Sequence, residues 1–106
     1  MTKYLFEANY VGEGIKGLMR EGGTKRRDAV VEALKSVDGS LDCFYYAFGD
    51  TDVLGIFDIP EPSSAAALSL MINSTGAVSL RLKPLMSPED LDAAAKRTPS
   101  YRAPGQ

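Results

Sequence analysis

Apolar and polar residues alternate at the start of the chain. From Lys3 to Val11 one set of alternate positions is apolar and the other is mixed: Tyr4, Phe6, Ala8 and Tyr10 against Leu5, Glu7, Asn9 and Val11. A period of two places these sets on opposite faces of a strand. The pattern predicts a first strand with one face directed toward a core.

A helical period follows the first strand. Ile15, Leu18 and Met19 have the spacing of one helix face, Gly22-Gly23 interrupts them, and a second apolar stripe contains Val30, Ala33, Leu34 and Val37. We predict an interrupted helix, with Thr24 capping its second part and Asp38-Gly39 ending it. Lys25, Arg26 and Arg27 occupy the first turn after Thr24, where the helix dipole disfavours cations. They form either a solvated face or a site for an anion or carboxylate.

Two runs of aromatic and β-branched residues, 41–48 and 53–59, flank the short turn Gly49–Asp52. Runs of this kind joined by a short glycine-containing loop predict an antiparallel hairpin. Unbroken alternation would direct Leu41, Cys43 and Tyr45 toward the helices and Phe44, Tyr46 and Phe48 away from them. Cys43 is then expected to be buried and unreactive.

The second half of the chain again contains a helical spacing of apolar residues and a strand-like alternation. Pro60 to Ser63 begins a helix, with Ser63 as its cap and Ala65, Leu68, Met71 and Ile72 as its apolar stripe. Alternation from Val78 to Lys83 predicts a fourth strand. Ser87-Pro88-Glu89-Asp90 has the features of a helix start, and residues 98–106 are rich in proline and glycine.

The resulting order is β-α-β-β-α-β with a terminal helix. We therefore predict an α+β, ferredoxin-like fold: a four-stranded antiparallel sheet with its first and third strands in the middle and helices on one face. One domain spans residues 1–97, and residues 98–106 form a flexible tail.

Composition narrows the classes of function. The chain has 106 residues, no histidine, one cysteine and a net charge of −2. Without histidine and with a single thiol, a zinc site or an imidazole base is excluded, so we expect no metal and no cofactor. The acidic balance disfavours nucleic acid. No signal peptide and no apolar run of about 20 residues is present, so we expect a cytoplasmic protein with no membrane partner.

Two groups of residues are candidates for function. The first comprises the candidates for a small ligand pocket: Asn9, Lys16, Gly49 and Asp52 near one end of the sheet, with Tyr46 and Asp58 from the face away from the helices. Asp52 or Asp58 together with Tyr46 is the best available catalytic pair. The alternative interpretation is turn chemistry, in which Asp52 accepts hydrogen bonds from backbone amides.

The second group is the sheet face away from the helices, which is too apolar to stay in water. Its candidate interface residues are Glu7, Phe44, Tyr46, Phe48, Leu54, Ile56, Arg81 and Lys83. We expect a homodimer or higher oligomer built on this face, with Glu7 near Arg81 or Lys83. A small organic ligand could also lie between two such sheets.

An ordered set of short motifs resembles the GYD-domain proteins of the dimeric α+β-barrel superfamily. The set comprises Gly14-Ile15-Lys16, Gly39, Phe44-Tyr45, the turn from Gly49 to Asp52, Pro60, Gly76 and Ser87-Pro88-Glu89, within residues 3–91. Thr51 stands where the family has its namesake tyrosine. The resemblance implies self-association through the open sheet face and no assigned catalysis.

The expected function is a small oligomeric module that binds a ligand or a partner without catalysis. The alternative is a cofactor-independent enzyme, of isomerase or monooxygenase type, acting on a small organic molecule. A more remote alternative is RNA binding, because RNA-recognition domains share this order of elements. The third strand, however, lacks their basic and glycine-containing aromatic motif.

Overall fold

Eight elements follow one another in the computed structural model, which describes residues 2–106. They are β1 (Thr2–Tyr10), α1 (Glu13–Glu21), α2 (Gly23–Lys35), β2 (Ser40–Tyr46), β3 (Val53–Ile59), α3 (Pro62–Ser74), β4 (Val78–Pro84) and α4 (Pro88–Ala95). The strands form one antiparallel sheet in the order β2-β3-β1-β4. The predicted ferredoxin-like α+β fold, with the first and third strands in the middle, is confirmed.

The core lies between the sheet and the helices. Its buried residues come from alternate positions of the two central strands and from α2 and α3: Tyr4, Phe6, Ala8, Val53, Phe57, Ile59, Leu34, Ala65 and Leu68. The rings of Phe6 and Phe57 stack with their centroids 5.1 Å apart. Fully burying one such side chain is worth about 1.5–3 kcal/mol, so this layer provides most of the stability of the fold.

Gly55 of β3 makes room for that aromatic layer. A Cβ atom at Gly55 would lie 2.2 Å from the carbonyl oxygen of Cys43 and 2.6 Å from the ring of Phe6. Neither a backbone carbonyl nor a buried ring can move away easily. A glycine at this position therefore lets the Phe6 ring lie directly on the sheet.

A β-bulge in β2 overturns one prediction about the faces of the sheet. The register with β3 shifts between Leu41 and Cys43, which places Phe44 opposite Gly55 and Tyr46 opposite Val53. Opposite residues of an antiparallel pair share a face, and Val53 is buried under the helices. The prediction that Phe44 and Tyr46 lie on the open face is therefore wrong, because the extra residue reverses the alternation.

The same bulge moves Cys43 to the other side. Cys43 lies opposite Ile56 on the open face and is half-buried, so the predicted position under the helices is wrong. Phe48 lies beyond the end of β2, in an exposed loop, and not on the sheet.

The helix ends differ in part from the predicted ones. Gly22, with a φ of 89°, separates α1 from α2 and is the N-cap of α2, so Thr24 does not cap it. The N-cap of α3 is Glu61 and not Ser63. Ser87 caps α4 as predicted: its hydroxyl accepts from the Asp90 N–H at 3.0 Å, and the Asp90 carboxylate accepts in return from the Ser87 N–H.

The C-terminal segment lies outside the core. No residue of α4 is buried, and residues 98–106 contain no helix or strand and are exposed. None of the helices between Thr2 and Gln106 combines the length and the apolarity that a membrane span requires.

Candidate functional site

A cavity lies between the two helices that cover the sheet. α2 contacts the edge strand β2, whereas α3 contacts β4 and β3, so a gap remains above the centre of the sheet. The gap has a volume of about 270 Å³. Its lining combines three phenylalanine rings from the sheet with small and aliphatic side chains from the helices: Phe6, Phe44, Phe57, Ala29, Val30, Ala33, Leu68 and Ile72. The result is a predominantly apolar space inside the core.

Arg26 is the one charged side chain among the described residues that line this cavity. It also lines an adjoining cleft of about 320 Å³ beside α1, together with Tyr10, Glu13 and Glu21. Within residues 2–106 no carboxylate oxygen lies within 4.0 Å of its guanidinium. Arg26 therefore lines both an apolar and a polar compartment and has no carboxylate partner in the described part of the chain.

Two tyrosines lie near Arg26. The Tyr46 hydroxyl donates to the carbonyl oxygen of Gly23 at 3.0 Å, and its ring packs so closely that a Cβ at Gly23 would lie 2.8 Å from it. Burial, followed by the neighbouring Tyr10 hydroxyl, raises the pKa of Tyr46 to about 12, and the charge of Arg26 opposes this shift. At neutral pH, Tyr46 is a neutral phenol that can donate a hydrogen bond and is a poor base.

Asp52 has the role of a turn residue. Its carboxylate accepts from the Tyr10 backbone N–H at 2.9 Å, and its own N–H donates to the Ala8 carbonyl at 3.1 Å. These bonds connect the hairpin turn to the end of β1. The geometry favours the turn interpretation of Asp52 over a role in binding.

The predicted polar pocket is assembled only in part. The Asn9 amide donates to the Asp50 carbonyl at 2.7 Å, so the end of β1 does meet the turn that contains Gly49. Lys16 lies on the exposed side of α1, paired with Glu13 at 3.2 Å, and takes no part in this arrangement. The six predicted residues therefore do not form one pocket.

Asp58 lies at the other end of the sheet, on the open face. Lys3 forms ion pairs with Asp58, at 2.9 Å, and with Asp42. The hydrogen bond to Asp42, followed by the one to Asp58, raises the pKa of Lys3. Because Tyr46 lies on the helix side, the suggested catalytic pair of Asp58 and Tyr46 is wrong.

A second ion pair occupies the opposite corner of the open face. Lys83 contacts Glu7 at 2.8 Å, which confirms the predicted proximity. The Lys83 ammonium, by its hydrogen bond and its charge, holds the pKa of the Glu7 carboxyl below its usual value. The Thr51 hydroxyl also donates to Glu7, at 3.3 Å. Between the two ion-paired corners lies an apolar band, formed by Leu5, Cys43, Tyr45, Leu54 and Ile56.

Arg26 and Tyr10 are polar residues of the cavity that are absent from the six predicted pocket residues. The available signal was the basic triplet in the first turn of α2, for which an anion site was one of two interpretations. Of the three, Arg26 lines the cavity, Lys25 is exposed, and Arg27 pairs with Asp28 at 3.4 Å.

Comparison with known proteins supports the resemblance noted in the sequence. No curated protein and no solved structure shows a significant match to the chain. The profile of the GYD domain matches residues 4–95, which include all four helices and, apart from the start of β1, all four strands. The chain therefore belongs to the GYD domain family.

Proposed function

We propose that this GYD-domain protein is a binding module that holds a small organic ligand in the cavity between α2, α3 and the sheet. The observation that carries the proposal is the cavity itself, with its volume of about 270 Å³. Several of its apolar lining residues are only half-buried, so they lack packing partners on the side that faces the cavity. A ligand that filled the space would restore the missing contacts.

The lining supports binding more than catalysis. No carboxylate lines the apolar cavity among the described residues, and Tyr46 beside it stays protonated at neutral pH. A general base needs a pKa near the working pH. The alternative, a cofactor-independent isomerase or monooxygenase, would have to draw its base from Glu13 or Glu21 in the adjoining cleft.

A cavity-filling variant tests the proposal. Ala33 lines the cavity from α2, whereas Ala67 is exposed on α3. We expect 2-naphthylmethanol, a neutral fluorescent probe, to bind the unmutated protein and the Ala67→Phe variant equally, and Ala33→Phe at least tenfold more weakly. Fluorescence polarisation measures binding, and circular dichroism checks that both variants fold. Equal binding by both variants, or no binding to the unmutated protein, would contradict the proposal.

We also propose that two copies associate through their open sheet faces, as a dimeric α+β barrel. The apolar band is half-exposed in one chain, and the neighbouring charges of Glu7 and Lys3 already have partners within that chain. Covering paired charges costs much less than covering isolated ones. Several apolar side chains, each worth about 1.5–3 kcal/mol when buried, can offset the cost of association.

Ile56 of the apolar band is the residue on which to test association. Ile56→Asp should shift the mass in solution toward the 11.4 kDa of one chain, whereas Lys96→Glu after α4 should not. Light scattering coupled to size exclusion at micromolar concentration measures both. Cys43, opposite Ile56, should react faster with a thiol reagent in the Ile56→Asp variant. A mass near 11.4 kDa for the unmutated protein would rule the dimer out.

A further inference from the structure

The position of Arg26 indicates which class of ligand the cavity takes. Arg26 lines an apolar space, and among residues 2–106 its guanidinium lacks a protein carboxylate within 4.0 Å. A half-buried charge without a partner is costly, and arginine is well suited to hold a carboxylate through two parallel hydrogen bonds. An anionic group on the ligand would supply the missing partner.

The aromatic side chains and the volume of the cavity indicate the apolar part of the ligand. Phe6, Phe44 and Phe57 form the floor, with the Phe6 and Phe44 centroids 5.8 Å apart and tilted by 43°. Aromatic rings pack well against such surfaces in offset or edge-to-face arrangements. A cavity of about 150 Å³ accommodates benzene, so the roughly 270 Å³ here has room for one substituted ring or two fused rings.

We propose that the ligand is a small aromatic monocarboxylate, with its rings on the phenylalanine floor and its carboxylate on Arg26. This assignment rests on the proposed function, because it concerns the same cavity. It adds the chemical class of the ligand and the residue that selects it.

The surroundings of Arg26 limit the ligand to a single anionic group. Glu13 and Glu21 line the adjoining cleft, directly beyond Arg26. A second carboxylate extending into that cleft would meet two like charges, which disfavours a dianion. Tyr10, like Arg26, lines both compartments. The expected ligand therefore has its apolar part inside the cavity and one charge at the boundary.

A pair of matched probes tests the assignment. 2-Naphthoate and 2-naphthylmethanol have the same ring system and differ in charge. We expect the unmutated protein to bind the acid about ten- to a hundredfold more tightly than the alcohol, as charge-assisted hydrogen bonds to arginine imply. In Arg26→Gln the preference should disappear while binding of the alcohol is unchanged. Fluorescence titration at neutral pH and fixed ionic strength measures all four affinities.

Lys25→Gln is the matched control, because it removes the same charge from the same helical turn at an exposed position. It should keep the preference for the acid. An equal loss in both variants would mean that the net charge of the helix, and not contact with Arg26, attracts the acid. Arg26→Lys keeps the charge and loses the two parallel hydrogen bonds, so it should bind the acid with intermediate affinity. This variant tests the role of Arg26 even if Arg26→Gln folds poorly.

The outcomes separate the two proposals. Equal affinity of the unmutated protein for acid and alcohol, with both lost in Ala33→Phe, would overturn the carboxylate assignment and leave the binding function in place. Failure of both probes to bind would overturn both. A preference for the acid that survives in Arg26→Gln would also overturn the role of Arg26.

Discussion

One face of the sheet forms the core under the helices and the other is open, and β1 has side chains on both faces. On the helix side, Tyr4, Phe6 and Ala8 are each at most 6% exposed and belong to one apolar layer. On the open side, the alternate residues of the strand include Lys3 and Glu7, whose charges are paired across the sheet. One strand thus supplies the core with one set of side chains and the open face with the other.

The difference follows from the energies involved. A buried aromatic or aliphatic side chain contributes about 1.5–3 kcal/mol, whereas exposed ion pairs contribute about 0–1 kcal/mol. The helix face therefore determines whether the chain folds. The open face contributes little to the stability of one chain, which allows its pattern of apolar and charged residues to serve association. Substitutions on the two faces should accordingly change the stability of the fold by different amounts.

The largest effect is expected for Phe57, which is 2% exposed and stacks on Phe6. Phe57→Ala should lower the free energy of unfolding by about 3–5 kcal/mol, because it removes buried area and leaves a cavity. Urea denaturation followed by circular dichroism measures the change. Phe48→Ala is the control, since Phe48 is fully exposed, and it should have no measurable effect. A similar loss in both variants would mean that Phe48 is covered in solution.

The second effect concerns the space that Gly55 leaves for Phe6. Gly55→Ala should destabilise the protein by about 1–3 kcal/mol, because its Cβ would overlap a backbone carbonyl and the ring. Gly17→Ala should act in the opposite direction, with a gain of up to about 1 kcal/mol, since Gly17 lies inside α1 with open space around it. Thermal melts of both variants measure these two changes in stability. A stable Gly55→Ala protein would show that the aromatic layer can shift.

Most of the fold follows from the periods of the sequence, because alternation and helical spacing place residues such as Phe6 and Leu68 on the correct faces. The exception is β2, where the bulge near Asp42 reverses the faces of Phe44 and Tyr46. A bulge depends on how two strands pair, so the alternation within one strand does not reveal it. The wrong faces predicted for Phe44, Tyr46 and Cys43 have this one cause.

The cavity was less predictable than the sheet. The sequence indicated an anion site among three basic residues, but the choice of Arg26 depends on how α2 is rotated over the sheet. Its volume depends on the separation of α2 and α3, which results from contacts of α2 with β2 and of α3 with β4. These are tertiary distances that a local period does not contain.

A smaller effect is expected where the turn between β2 and β3 meets the end of β1. Asp52→Ala should lower the free energy of unfolding by about 1–2 kcal/mol, because the Tyr10 N–H loses its acceptor. Asp50→Ala removes a carboxylate from the same exposed turn and keeps the backbone carbonyl that accepts from Asn9. It should change stability by less than about 0.5 kcal/mol. Unaltered unfolding of Asp52→Ala, together with weaker binding of 2-naphthylmethanol, would support a ligand role for Asp52 in place of the turn role.

The smallest effect belongs to the open face and depends on pH. The pairing with Lys83 lowers the pKa of Glu7 in the folded protein below its ordinary value of 4.5. A lowered folded pKa adds stability above the unfolded pKa, and this stability is lost as the pH falls through the folded pKa. Glu7→Gln should therefore melt slightly below the unmutated protein at pH 7, and the difference should vanish in acid. Asp92→Asn, which removes an exposed charge from α4, should not reproduce this trend. The difference in melting temperature between Glu7→Gln and the unmutated protein could instead persist at a pH well below the folded pKa. The contribution of Glu7 would then arise from its hydrogen bond with Thr51 or from packing, and charge would not hold the open face in register.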